Sequence, residues 1–485
     1  MFVRNRRCLA LFLVGGGLSA VAASCAEDEP TPSQTGGAGG SSDAGSGTSG
    51  GGNAGRGGDA GSGGSGAQGG AGASGGNAGS GGGGQAGAGT GGNAGKGGSG
   101  GGGTDAGTGG NAGSGGAAGK DGGTSIDAAP ADGAADRVET STPGTTYVYV
   151  SGYDPKITIF TLDRSNGILT PKGSFDTGVS SPSYLAFSAD KRFLYAANEA
   201  SGANSKVLAL KIAADGALQK INEAPTGGDG SPHLSVSPDG RWVLVAHYTS
   251  GHVSTLGVDA NGGVTMPPTD VQRPANNTSH QILTDATGSF VFVPNVNANT
   301  VFQFKIDTAT GKLTTNGSVS GFPSGAGPRH LALHPNQKWA YTMNETAVTV
   351  TSLVYDPVAG TFSSPQTIDS LPAGTAKTGS GAHVVVHPSG QFVYTSNRGH
   401  NSISLFEVDG ATGRLTMRAN ERGGGAIKTP RDFGVDPEGK FLLVANQDAA
   451  SLMVFEISAT DGKLTLRDTK ATPAGPSFAG AVALP

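Results

Sequence analysis

Residues 327–345 read GPRHLALHPNQKWAYTMNE. An apolar strand opening on Arg329 and His330, a Pro-Asn turn, a second strand through Trp339, Tyr341 and Met343, and a closing Asn make a β-hairpin. The same plan recurs outward in both directions. The second strands are TYVYVSG, RFLYAAN, RWVLVAH, SFVFVPN, KWAYTMN, QFVYTSN and KFLLVAN, ending at Gly152, Asn198, His247, Asn295, Asn344, Asn397 and Asn446, at intervals of 46 to 53 residues. Each unit continues with a third strand and a fourth, as in NSISLFEVD, the turn GATGR, and LTMRAN. Four short strands every ~49 residues, with no helical pattern between them, predict an all-β fold, a seven-bladed β-propeller. The first unit begins at its second strand, whereas the C-terminal PSFAGAVALP reads as an inner strand without a blade. We expect that strand to complete blade one and close the ring, leaving no open sheet edge.

Upstream the composition changes completely. More than half of the 87 glycines lie between Thr35 and Ser125, where GGNAG recurs four times and large apolar side chains are nearly absent. Such a chain has nothing to bury against its backbone entropy, so residues 26–144 are expected to be a disordered Gly-rich tether with an r.m.s. span of about 55 to 65 Å. Residues 1–25 carry Arg4, Arg6 and Arg7, an apolar run from Cys8 to Ala23, and V-A-A-S-C ending at Cys25. The run is too short for a good membrane span and reads as a secretion signal. Its end resembles a lipobox, which makes Cys25 the expected lipid acceptor, anchoring an exported protein to a bacterial membrane at the periplasmic or outer surface. The propeller, residues 145–485, then has no cysteine, which excludes disulfides and thiolate metal sites there. A net charge of −5 without a Lys/Arg run argues against nucleic acid as a partner. We expect a monomer.

In a blade the start of the first strand and the end of the second share one face near the axis. Arg329, His330, Asn344 and Glu345 are therefore expected together at the channel mouth. Aligned with Arg329 are Ser183, Pro232, His280, Ala382 and Arg431; with His330, Tyr184, His233, Gln281, His383 and Asp432; with Glu345, Tyr153, Glu199, Tyr248, Val296, Arg398 and Gln447. Recurring residues such as the terminal Asn are explained by turn geometry. Residues that vary between blades are free to carry function. Several guanidiniums around one concave mouth favour an anionic or carboxylate-bearing ligand. His334 and His387 take the strand-to-turn position held elsewhere by Ser188 and Ser237, so they are assigned to turns on the opposite face; for Arg431 and Asp432, pairing with each other is the alternative to a role at the mouth. No H-E-x-x-H spacing or carboxylate set is present, so neither a metal nor another cofactor is expected.

GPRHLALHP, AYTMNE, FVYTSNRGHNSISLFEVD and TPRDFGVDPEGKFLLVANQ together resemble the lactonase family of seven-bladed propellers, which includes bacterial 6-phosphogluconolactonase and the fungal carboxymuconate-lactonizing enzymes. The resemblance covers the chain from about Thr145 onward. It implies a catalytic set of His280 in SHQIL, Arg329 in GPRH, Glu345 in MNE and Arg398 in NRGH, with His233, His330, Asn344, Arg431 and Gln447 as binding residues. The implied function is hydrolysis of a sugar-type or carboxylated lactone. A muconate-type cycloisomerase, or a non-enzymatic surface-anchored module binding an anionic carbohydrate, are the alternatives for the same mouth. Two features depart from the family: VPNVNAN puts Asn295 and Asn299 where acids are usual, and the secretion signal places the protein away from phosphorylated sugars of the cytoplasm.

Overall fold

A computed structural model describes residues 144–201 and 205–485; the expected signal segment, Cys25 and nearly all of the tether lie outside them. The described chain forms seven four-stranded antiparallel sheets. Six of them run through the chain in order, and the seventh joins its two ends. The strand Pro476–Ala483 pairs with Thr146–Gly152 and becomes the innermost strand of blade 1, Thr146 lying opposite Ala483 and Val150 opposite Ala479. The expected closure is therefore present. Among the described residues no helix is long and apolar enough to cross a membrane.

The second strands are buried along nearly their whole length and mostly apolar because both of their faces are covered. In the strand of blade 1, Tyr147 and Tyr149 enter the core shared with blade 2, while Val148 and Val150 enter the core shared with blade 7. The period of two thus feeds alternate side chains into the two neighbouring interfaces. Among the described residues seven such hydrophobic clusters form, each between adjacent blades.

The interfaces are registered by one repeated contact. The turn joining third to fourth strand carries a glycine in every blade: Gly167, Gly216, Gly262, Gly311, Gly360, Gly413 and Gly462, all with φ between 67° and 82°. Each lies against an aromatic ring of the preceding blade's second strand: Phe441, Tyr147, Phe193, Trp242, Phe290, Trp339 and Phe392 respectively. A Cβ at these glycines would come within 2.0 to 2.8 Å of ring carbons. Tyrosine hydroxyls on the second strands add a hydrogen bond to the same turn: Tyr149 donates to the Gly216 carbonyl at 2.8 Å, Tyr195 to Gly262 at 3.1 Å, Tyr341 to Gly413 at 3.0 Å and Tyr394 to Gly462 at 2.6 Å.

Two stability outcomes follow. Gly360→Ala, whose Cβ would lie 2.0 Å from Phe290, combines left-handed strain with a clash, whereas Gly240→Ala has the strain (φ 71°) and no atom within 4 Å. Chemical denaturation should give a loss of about 1 kcal/mol for Gly240→Ala and at least about twice that for Gly360→Ala; equal losses would mean that the ring contact does not register the blades. Removing residues 476–485 strips blade 1 of its inner strand, and size-exclusion chromatography should show aggregate in place of a folded species.

Candidate active site

The inner strands do not begin as regular β-structure. Three residues before the His330 position, the backbone is left-handed in six blades: Ser181, Gly230, Thr278, Gly327, Thr429 and Gly475, with φ from 46° to 72°. Directly after this kink the pairing to the second strand skips a residue between Pro182 and Tyr184, Pro328 and His330, and Pro430 and Asp432. A bulge places two residues opposite one. It removes the usual alternation, so that neighbours such as Arg329 and His330 both reach the mouth. Blade 4 is more irregular still: its inner strand is reduced to Leu283–Thr284, and His280 is held in the segment before it by a backbone hydrogen bond to Pro294 of 3.1 Å.

Arg329, His280, His330 and Arg431 line one cavity with Glu199, Tyr184 and Asp432. Arg329 is only 2% exposed. Its Nη1 donates to the Ala382 carbonyl at 2.6 Å, and its Nε stands 3.9 Å from Glu345 Oε2. Arg398 Nη2 donates to Glu345 Oε1 at 2.6 Å and to the Gly381 carbonyl at 3.0 Å. The Nε groups of both arginines and Oε2 of Glu345 are buried without a hydrogen-bond partner in the protein. Burying charge is costly and is normally compensated by full hydrogen bonding, so donors and an acceptor left over at one mouth are suited to a polar ligand. Burial, followed by the neighbouring Arg398 charge, pushes the Arg329 guanidinium down to about 9, so it remains a cation at neutral pH.

A second pair lies across the same cavity. Arg431 Nη2 is 3.9 Å from Glu199 Oε1, and its guanidinium stands 5.5 Å from the centre of the Tyr153 ring. Asp432 instead accepts from the Ala479 backbone N–H at 3.3 Å and faces His383. Arg431 and Asp432 thus have separate partners, and the alternative of a simple pair between them is not what the structure shows.

Histidines fill the inner wall. His330 Nε2 contacts His280 Nδ1 at 3.2 Å, and its Nδ1 contacts His383 Nδ1 at 2.6 Å. His233 stacks on Tyr184 at 4.0 Å between ring centres, stands edge-on to His330, and accepts from the Ile282 N–H at 3.5 Å. Burial first, then the positive charge of Arg329, holds His280, His330 and His383 well below the ordinary imidazole value, His383 at about 3. His233 is lowered in the same direction, by burial and then by its histidine and arginine neighbours. All four are neutral at pH 7. His330, His383 and Asp432 each offer an atom within 4.8 Å of the others, a grouping a metal could use. However, ligands ~2.0 Å from a tetrahedral metal stand more than ~3 Å apart, and the 2.6 Å Nδ1–Nδ1 contact is that of a hydrogen bond between the two rings.

Not every expected binding residue reaches the mouth. The Asn344 carboxamide turns into its own blade, donating to Thr349 Oγ1 at 2.9 Å and Thr351 Oγ1 at 2.8 Å and accepting from Thr342 Oγ1 at 3.1 Å, so its hydrogen-bonding capacity is spent there. Asn397 does the same with Ser402 and Ser404. Gln447 follows blade 7's second strand as Glu345 follows that of blade 5, and its Oε1 is buried without a protein partner. His334 and His387 lie at strand-to-turn positions, each bonded to a turn carbonyl of the next blade, Gly390 at 2.8 Å and Gly439 at 2.7 Å. Asn299 accepts from the Gly327 N–H at 2.8 Å and so pins the kink before Arg329. Glu199, His383 and Asp432 complete the constellation. Each is visible in the repeat alignment, and Asp432 also in TPRDF, but none is marked out as a site residue by its pattern alone.

Comparison with known proteins agrees with this architecture. Residues 147–479 match the family model described as "Lactonase, 7-bladed beta-propeller". The 6-phosphogluconolactonase of Bacillus subtilis (strain 168) is 32% identical over 300 residues, which are 59% of this chain and 83% of the relative. Among solved structures, a periplasmic gluconolactonase from Pseudomonas aeruginosa superposes with a TM-score of 0.64 at 26% identity, covering 70% of this chain and all of that one. A putative 6-phosphogluconolactonase from Bacteroides uniformis gives the same TM-score at 25% identity, with 70% and 100% coverage. The chain belongs to the seven-bladed β-propeller lactonase family.

Proposed function

We propose that this protein is a hydrolase that opens a polyhydroxylated or carboxylated sugar lactone at the propeller mouth. The observation that carries the reading is the buried Arg329–Glu345–Arg398 cluster, with its unpartnered Nε donors, on the same mouth as neutral His280. The relatives named as lactonases support ring opening over cycloisomerisation or simple ligand capture.

In the proposed step, water adds to the lactone carbonyl carbon while His280 or Glu345 takes its proton. Arg329 and Arg398 donate to the developing oxyanion, within a site where burial strengthens such bonds. Collapse breaks the ring C–O bond, the alkoxide recovers a proton, and a hydroxy acid leaves. His233, Arg431 and Gln447 contact the substrate, and His330, both of whose ring nitrogens face other histidines, forms the wall behind His280. Glu199 Oε2, Glu345 Oε2 and Gln447 Oε1 are acceptors without protein partners, suited to sugar hydroxyls. Export fits an unphosphorylated lactone, and we assign residues 1–25 as signal and Cys25 as lipid acceptor on the pattern of the segment; similarity to a periplasmic enzyme supports that placement.

Three outcomes test this. On a panel of sugar lactones, His280→Ala and Glu345→Gln should each lower kcat by about 100-fold or more, with thermal unfolding near wild type; values within threefold of wild type would remove both from the chemistry. Because His280 is active when unprotonated and its pKa is depressed, kcat/KM should stay level from pH 7 down through 6.5 and fall only in more acid solution. A decline centred at 6.5 would point to a different base. Detergent-phase partitioning should recover wild-type protein with the membrane fraction and Cys25→Ala in the aqueous phase.

A further inference from the structure

Four consecutive blades place His280, His330, His383 and Asp432 in sequence around the mouth. They meet in that order, at 3.2 Å between His280 Nδ1 and His330 Nε2, 2.6 Å between His330 Nδ1 and His383 Nδ1, and 3.6 Å between His383 Nδ1 and Asp432 Oδ2. All four are buried. We propose that they form one proton-ordered chain, in which His330 and His383 are positioning residues that keep His280 protonated on Nδ1 and free on Nε2, and Asp432 serves as a neutral acid that does not draw the chain the other way. This deepens, and rests on, the reading of His280 as a base.

Each nitrogen of a neutral imidazole either donates or accepts, so the chain has two self-consistent orders. In the first, His280 Nδ1–H donates to His330 Nε2, His330 Nδ1–H donates to His383 Nδ1, and His383 carries its proton on Nε2. His280 Nε2 then presents a lone pair, and no described residue bonds to it. In the second order every proton is reversed, and His280 Nε2 carries the hydrogen that blocks it as a base. A carboxylate beside His383 Nδ1 would pull a proton onto that nitrogen and enforce the second order. An uncharged acid exerts no such pull.

The surroundings of Asp432 keep it uncharged. Its Oδ1 has a single long bond to the Ala479 N–H, and its Oδ2 is buried without a hydrogen bond. Burial raises it to about 8, outweighing the opposing effect of Arg329 and Arg431; Tyr184 and His383 are the other titratable groups that face it. His280 is faced by Arg329, Arg431, Arg398, His233 and Tyr248, whose combined influence together with burial keeps it neutral.

The test uses the full chain labelled with [15N]histidine, as wild type, His383→Phe and Asp432→Asn. At pH 7 nitrogen NMR should show His280 of the wild type protonated on Nδ1 and bare on Nε2. His383→Phe should give a mixture of both tautomers at His280 and reduce kcat about tenfold or more, with KM within about threefold. At pH 10 the order should reverse in wild type but not in Asp432→Asn. A wild-type His280 protonated on Nε2 at pH 7, or His383→Phe with the wild-type tautomer and kcat, would overturn the chain. Since the NMR measurement needs no substrate, it decides the chain even if no lactone is turned over, an outcome that would instead defeat the functional reading.

Discussion

The structure depends on a steric constraint repeated around the ring: a left-handed glycine of one blade seated beneath an aromatic ring of the blade before it. Gly167 under Phe441 is the member of the set that joins the last blade to the first. No residue with a Cβ fits at these places, because φ and free space are both restricted. The contact fixes how far each sheet is rotated from its neighbour, and the tyrosine hydroxyls bonded to the same turns hold that angle. The mouth geometry is a consequence of this spacing, since the groups there are delivered by several different blades.

Against this regular frame the site is made by local irregularity. A left-handed kink and a bulge at the head of the inner strand bring two adjacent side chains to one place, and blade 4 gives up most of its inner strand to hold His280. The electrostatics follow from burial. Three arginines share the mouth with two glutamates, and adding a proton to any of the histidines beside them is unfavourable. Neutral imidazole is therefore the resting state, and each neutral ring presents one bare nitrogen with a lone pair at physiological pH.

The sequence made the fold legible because the repeat is long, regular and closed by a strand that has no blade of its own. It also placed Arg329, Glu345, Arg398 and His280 in equivalent mouth positions, since two ends of a hairpin must meet at the axis. Asn344 was misleading for a physical reason: the residue that ends a second strand can turn either toward the channel or back into its blade, and the hydroxyls of Thr342, Thr349 and Thr351 draw it back. Arg431 and Asp432 are adjacent in sequence, but their bulge sends them to different neighbours. His383 and Asp432 needed coordinates, because a histidine is chemically informative only once the group across from each ring nitrogen is known.

The strand Pro476–Ala483 has a double office. It supplies the last sheet, and through Ser477, which donates to the Ser183 carbonyl at 2.7 Å and lines the same cavity, it also supplies part of the wall around the mouth. A chain emerging residue by residue thus acquires its cavity only when its final ribbon locks in, after Arg329, Glu345 and His280 have long been made. Closing the ring and completing the cavity wall are thus one and the same step.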